Sequence, residues 1–372
     1  MSITLGAEEE LQIVSRRSLD LDSHDHVLAL LQHPGPPDST SIEVHSCTLE
    51  IKTTVCNSPD AIVLQLETLR RLAAQRACDQ GQSVLSAGLH PYANWRMQKV
   101  HEDASAHPHY HQLLSEYQDA ARGAMSFGLH VHVGLPTEAL RIPVMNRLRH
   151  VLPLVMALSA NAPFCEGRDT GLHSWRHSLL GCLPRMGIPE VWGSEAEYVA
   201  HVARLQRMGC IAPYTSVWED LRLHHIYKTL EVRICDAHHS LDRVWLIVAL
   251  LQAEAATLCS EVSTNNAKAP QSRMCLEENK WRARRYGLQA QFIDWDTETA
   301  MPVTDFLDIW LQRVRPHAEQ LGTYARLERA LARALTVGTG ADEQRGWHRN
   351  TGDWRGVVRH LVQATNEPWV PQ

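Results

Sequence analysis

Lysine is scarce in this chain. Its 372 residues include only five, at positions 52, 99, 228, 268 and 280, among 36 Lys+Arg. Any bound anion is therefore met chiefly by arginine, whose planar fork grips phosphate bidentately. The glycine-rich phosphate loops are missing too, both Gly-x-x-x-x-Gly-Lys-Ser/Thr and Gly-x-Gly-x-x-Gly, which removes the usual nucleotide folds. Nine cysteines form no Cys-x-x-Cys pair, and their odd number argues against a disulfide framework or a structural zinc site. No Gly-x-Ser-x-Gly elbow marks a nucleophile, and no His-Glu-x-x-His marks a zinc hydrolase. Acidic residues appear by Glu8, so no basic, apolar leader opens the sequence, and a cytoplasmic location is expected. The longest strongly apolar stretch, 244–251, falls far short of the ~20 residues of a membrane helix. A net charge of −6 gives no general footprint for nucleic acid. Neither a membrane nor a nucleic acid is expected as a partner.

What is present is an ordinary globular composition, 44% hydrophobic and 21% charged. The length allows about two domains and leaves one large domain open. Apolar residues at helical spacing predict helices over 61–78 (with Asp60 as N-cap), 140–160, 194–208, 241–262, 303–314, 323–335 and 354–365. Ser194 and Glu197 stand at capping-box spacing. Loops are expected at 31–40, 104–108, 168–189 and 268–271.

Four segments alternate with period two: 3–14, 43–55, 127–134 and 226–236. Alternate residues of a strand share a face. Glu8, Glu10 and Gln12 oppose Leu5, Leu11 and Ile13; Thr48, Glu50 and Lys52 oppose Leu49 and Ile51. His130 and His132 oppose Leu129, Val131 and Val133; Thr229, Glu231 and Arg233 oppose Leu230, Val232 and Ile234. One such strand would read as a solvated face. Four in one chain predict an antiparallel sheet with helices on its apolar side and a polar surface on the other. A face crowded with Glu and His is costly unless metal or ligand charge compensates it.

The chemistry follows from the donor set. Glu8, Glu10, Glu50 and Glu231 are hard oxygen ligands, and His130 and His132 add imidazole nitrogen, a mixture that suits Mg²⁺ or Mn²⁺. Mg²⁺ commonly shares its shell with substrate phosphates, so a carboxylate sheet with arginine points to nucleotide phosphate chemistry. Arg233 lies two residues from Glu231 on the same face, and 279–287 forms a second basic cluster, read on spacing alone as a solvated helix end.

In these residues the sequence resembles the carboxylate-amine ligase family known as glutamate–cysteine ligase type 2. The matching stretches are GAEEEL at 6–11, LEIKT at 49–53, GLHVHVG at 128–134, SANAPFCEGRDTGLHSWR at 159–176, TLEVRICD at 229–236, ENKWRARRYG at 278–287 and GTGADEQR at 338–345. They run in order along nearly the whole chain. The resemblance implies a single α+β domain over 1–372, a glutamine-synthetase-like antiparallel sheet funnel with helices on its outer face. It implies ATP and Mg²⁺ or Mn²⁺ held by Glu8, Glu10, Glu50, His130 and Glu231, with Glu231 and Arg233 as the catalytic pair. His132, Arg233, Asn279, Arg282, Arg284, Arg285 and Arg168 are its implied nucleotide- or substrate-binding residues. Glu9 points to the opposite face and is left out, so Glu9→Gln is expected to matter much less than Glu10→Gln.

The implied partners are a small-molecule carboxylate and an amine, by default L-glutamate and L-cysteine, joined through an acyl phosphate to give γ-glutamylcysteine, ADP and phosphate. A homodimer is the assembly that family likeness suggests. Cys165 stands where the family carries an aromatic residue. The alternatives are kinase-type phosphoryl transfer on the same fold and a nucleotide-binding protein without turnover. The His-rich stretch 107–111 reads as a surface loop because Pro108 interrupts helical spacing. Of the adjacent pairs His224–His225 and His238–His239, at most one member of each should reach the polar face. Trp175, Trp281 and Trp354 read as core or rim.

Overall fold

β1 (Thr4–Ser15) is the longest strand, and the rest of the sheet is built around it. The structure is a computed structural model, and it describes residues 3–23, 39–101, 103, 105, 107–211 and 217–369. The sheet continues with β2 (Thr40–Ile42), β3 (Thr48–Lys52), β4 (Gln82–Leu85), β5 (Gly128–Gly134), β6 (Leu221–Leu223) and β7 (Leu230–Asp236). The order is β2-β3-β1-β5-β7-β6, with β4 pairing the far end of β1, and every pairing is antiparallel. The four alternating segments are thus four strands, shortened at 43–55 and 226–236, where the strands span 48–52 and 230–236.

The odd-numbered β1 residues Leu5, Leu11 and Ile13 enter a core shared with Leu49, Ile51, Leu129, Val131, Val133, Leu230 and Val232. Helices cover this face, first α1 (Pro59–Asp79), which follows Ser58, the N-cap accepting from Ala61 N at 3.2 Å. The expected cap, Asp60, instead lies in the first turn and pairs with Arg326 at 2.6 Å, because Pro59 takes the first helical position. The stretch expected as one helix over 140–160 is two, Arg141–Leu148 and α3 (Leu152–Ser159), since Pro153 cannot continue the ladder of the first. Ser194 caps Glu195–Arg207, but Glu197 returns to Gly193 N rather than to the cap, so the box is incomplete.

The His-rich stretch is not a loop. α2 (Pro108–Arg122) starts there, because proline is well suited to a first turn whose N–H has no partner to lose. The expected loop at 168–189 contains the short helix Arg176–Leu180. The expected loop at 31–40 lies outside the described residues apart from 39–40, as does Ala104.

α4 (Leu241–Ser263) is central and in contact with β1, β5 and several helices. It is longer than its apolar stretch suggests, and by length and composition it could cross a membrane, but 78% of its most apolar stretch is buried inside the protein. Its buried Glu254 accepts from Trp310 Nε1 at 2.8 Å and pairs with Arg313. Outside it come α5 (Arg273–Tyr286), α6 (Val303–Gln320), α7 (Tyr324–Val337), α8 (Gly340–Thr351) and α9 (Trp354–Thr365). The 279–287 stretch is therefore mostly helix, and α8 was unmarked by any apolar periodicity.

Glu9 shows what the sheet demands of its core face. It is fully buried, receives Arg70 Nε at 2.8 Å and Ser86 Oγ at 2.6 Å, and pairs with a second Arg70 nitrogen. Arg70 also donates to the carbonyls of His238 and His239, at 2.6 and 2.9 Å. Its facing is as expected, and its part is structural: removing one partner of the pair leaves a buried charge uncompensated. Glu9→Gln should lower unfolding stability by about 3 kcal/mol. The check is the urea midpoint, with little change in slope.

Candidate active site

Register brings the polar residues together. Glu10 lies opposite Glu50, Glu8 opposite both Lys52 and His130, and His132 opposite Glu231. Two sets of ligand-capable atoms result, Glu8–His130–Glu231 and Glu10–Glu50–His130, each within 4.8 Å and sharing His130. His130 Nδ1 is 3.6 Å from Glu8, and His132 Nε2 is 3.5 Å from a Glu8 oxygen.

Guanidinium groups set the charge at one end. Arg222 Nε meets Glu231 at 2.6 Å, and Arg233 pairs with the other Glu231 oxygen. Burial works to raise the Glu231 carboxyl, but Arg233 and Arg222 hold it well below the usual range. Burial and the Arg233 charge depress His130 to about 4, leaving it a neutral imidazole. At the other end, burial pushes Glu10 up to about 7, with Arg176 opposing and the Glu50 carboxylate adding to the rise. Burial and neighbouring carboxylates also raise Glu50 and Glu43. Lys52, 2.8 Å from Glu50, offsets part of this. The donor set fits a divalent cation: hard oxygens that repel one another, a neutral imidazole, and a His130 Nε2 buried without a hydrogen-bond partner among the described residues.

A β-bulge lies where Leu129 pairs with Cys235 but Val131 with Val232. The extra residue shifts the parity of β7, so Asp236, not Cys235, lies opposite Gly128. Asp236 is buried and accepts from Asn161 N (2.8 Å) and Ser174 Oγ (2.9 Å), fastening the 159–176 segment to the sheet. Burial pushes it up to about 6. That segment delivers Arg176 beside Gly128, where a Cβ would come within 2.4 Å of its guanidinium. A cavity next to Glu10 and His130 is walled by Glu43, Tyr110, Arg176, Trp218 and Asp220.

Of the expected residues, Glu8, Glu10, Glu50, His130, His132, Glu231 and Arg233 are gathered here. Most of the C-terminal basic cluster has other partners. Asn279 exchanges hydrogen bonds with Ile293, and Arg282 pairs with Glu278 at 2.9 Å. Arg285 donates to Gly171 O, and the exposed Arg168 lies over the Trp175 ring. Arg284 bonds Ser178 at 2.5 Å and faces the Asp220 and Asp236 charges. Within that cluster Lys280 reaches the cavity wall, 2.5 Å from Asp220.

Sequence reasoning passed over Glu43, Arg176, Arg222, Asp220 and Asp236. Arg176 closes a quoted motif, and Asp236 hides behind the bulge. His224 does reach the cluster, 4.0 Å from Glu231, stacked on Tyr227.

The fold is similar to the crystal structure of glutamate–cysteine ligase from Francisella tularensis in complex with AMP, with TM-score 0.71 at 13% identity over 100% of this chain and 90% of that one. It is also similar to a bifunctional glutathione synthetase from Pasteurella multocida, TM-score 0.71 at 14% identity, over 98% of this chain and 52% of that one. A "Putative glutamate--cysteine ligase 2" of Herpetosiphon aurantiacus is 32% identical over 98% of this chain and 93% of its own length. The family model for glutamate-cysteine ligase family 2 (GCS2) matches residues 4–364, and the chain belongs to that family. It is an ATP-dependent, glutamate–cysteine-ligase-like carboxylate–amine ligase.

Crowding gives a prediction whose sign is unusual for an active-site change. Above pH 7 and with metal chelated, Glu10→Gln should stabilise the protein by about 1 kcal/mol, because it removes a carboxylate whose ionisation the fold opposes. Thermal unfolding in chelator, at pH 8 against pH 5, should show the gain at pH 8 and its shrinkage at pH 5.

Proposed function

We propose that this chain joins the carboxylate of one small molecule to the amine of another in two steps, by default L-glutamate to L-cysteine. The substrate carboxylate attacks the γ-phosphorus of ATP, giving an acyl phosphate and ADP. The amine then displaces phosphate, giving the amide, γ-glutamylcysteine for the default pair. The observation that carries this reading is the pair of acidic sets sharing His130, with Arg233 among them.

Glu8, Glu10, Glu50, His130 and Glu231 would hold one or two Mg²⁺ or Mn²⁺ ions. When bound, the ions supply charge neutralisation and a template for the triphosphate. Arg233 turns its guanidinium towards charge that develops on the transferred phosphoryl oxygens. Arg176 lies in the wall of the same cavity with its Nε lacking a hydrogen-bond partner among the described residues, and it is the candidate to grip the substrate carboxylate. The tethered 159–176 segment keeps it in place.

The deciding experiment is ADP release with ATP and Mg²⁺ or Mn²⁺ across a matrix of carboxylates and amines. Release that needs both glutamate and cysteine, with γ-glutamylcysteine in the mass spectrum, is the expected result. Release with another pair keeps the reaction and changes the substrates. Phosphate left on a stable product would make it a kinase, and ATP binding without ADP under any mixture would leave a binding protein.

Two variants test the roles. Arg233→Lys should lower kcat/KM by about a hundredfold while Mn²⁺ binding persists. Glu50→Gln should weaken Mn²⁺ at least about tenfold by calorimetry, with an unchanged far-UV spectrum.

A further inference from the structure

Arg326, Arg329 and Arg333 stand three and four residues apart in α7, the spacing of one helical stripe. They line a cavity with Arg243, from the first turn of α4, and with His238, Asp242 and Glu343. Arg243 is 7% and His238 0% exposed. Arg243 Nη2 donates to Gly338 O at 2.6 Å, but its Nη1 is buried with no hydrogen-bond partner among the described residues. His238 Nδ1 accepts from Ser240 N at 3.1 Å, so in the neutral ring Nε2 carries the proton. That buried donor also lacks a partner among the described residues. Buried donors of this kind are costly unless an acceptor meets them.

The charges in this wall do not balance. Asp242 is 3.3 Å from Arg333 and accepts from Trp369 Nε1 at 3.1 Å, and Glu343 lies 3.3 Å from His239. Arg326 pairs with Asp60 at 2.6 Å and lies over the rings of Trp245 and Trp369. Arg243 and Arg329 are left without an ion pair among the described residues. Burial lowers Arg243 to about 10, and the Arg333 charge adds to the fall while Glu343, Asp342 and Asp242 oppose it. As a first-turn residue Arg243 also meets the positive end of the α4 dipole. An anion in the cavity would offset these costs. No residue of the carboxylate cluster borders this cavity.

We propose that this cavity is an anion site separate from the active site, taking a phosphate group as inorganic phosphate or as the end of a small phosphate ester. Arginine forks bind such a group bidentately, and its double charge suits four arginines better than a single carboxylate does. Arg243 Nη1 and the Nε2–H of His238 would donate from the buried wall, and the exposed Arg329 and Arg333 from the rim. A neighbouring cavity shares Ser240, Asp242, Arg333 and Glu343 with this one. Trp347, His360 and Trp369 border it, and the organic part of an ester would lie there.

The test uses the full chain, stripped of metal and dialysed free of chelator, so that the bare carboxylate cluster repels phosphate. Inorganic phosphate and phenyl phosphate are titrated by calorimetry at constant ionic strength. The expected result is one saturable phosphate per chain, which raises the Tm. Tighter binding of phenyl phosphate would support the site as one for an ester, with the ring in the neighbouring cavity. Equal or weaker binding of phenyl phosphate would support it as a site for the free anion. The double variant Arg329→Gln, Arg333→Gln should weaken phosphate at least about tenfold and lose the Tm rise. Its Tm without phosphate should match the wild type, because it breaks only an exposed pair with Asp242. Arg233→Lys, in the carboxylate cluster, should bind phosphate as the wild type does. No saturable binding, equal affinity in the double variant, or loss in Arg233→Lys alone would overturn the proposal. None of these readouts depends on ADP release, so the ligase proposal stands or falls separately.

Discussion

Three successive glutamates at the middle of the central strand set the terms for everything around them. Alternation sends Glu8 and Glu10 to one face and Glu9 to the other, and neither face tolerates a bare carboxylate. Beneath the sheet, Arg70 answers Glu9 and in doing so fastens α1 to the segment after β7. Above it, the answer is divided among Lys52, Arg176, Arg222 and Arg233. The division is uneven. Glu231 is held ionised between two arginines, while Glu10, Glu43 and Glu50 stand close together with fewer cations, so each resists ionisation. The electrostatic deficit lies at the end of the cluster that opens onto the cavity.

The period-two pattern carried most of this arrangement in the sequence. Where a strand has one apolar face, register has little freedom, because a one-residue slip would bury every charge. Leu5, Leu11 and Ile13 therefore fix the direction of Glu8 and Glu10 before any partner is known. The same logic reached His130, His132 and Glu231 but failed at Asp236, since a bulge changes parity without leaving a mark in composition. It also could not find Arg176, which opens a short helix held near the site by the Asn161 and Ser174 bonds to Asp236.

Three of the helical differences share one cause. Proline at a first turn starts a helix as readily as it ends one, and Pro59, Pro108 and Pro153 each did so. The basic stretch 279–287 read on spacing alone as a solvated helix end, and only the family resemblance gave it a binding role. Instead its members are largely used to hold neighbouring backbone and side chains: Asn279 the Ile293 backbone, Arg284 Ser178, Lys280 the buried Asp220. Charge density in sequence says little about where a helix points its long side chains, which depends on packing against Leu152–Ser159 and the ribbon at 291–302.

The order of the sheet also bears on how the chain reaches this state. β1 is made first, yet it pairs with β5, more than a hundred residues later, as the Glu8–His130 register requires. Contacts of such separation form slowly, and a strand awaiting its partner is exposed to other chains. The glutamates are, until then, hydrated charges in the middle of a strand whose apolar residues include Leu5, Leu11, Ile13 and Val14. Charges at such positions oppose pairing with the edges of other chains, so Glu10, which resists ionisation in the folded sheet, is a favourable charge in the unfinished one.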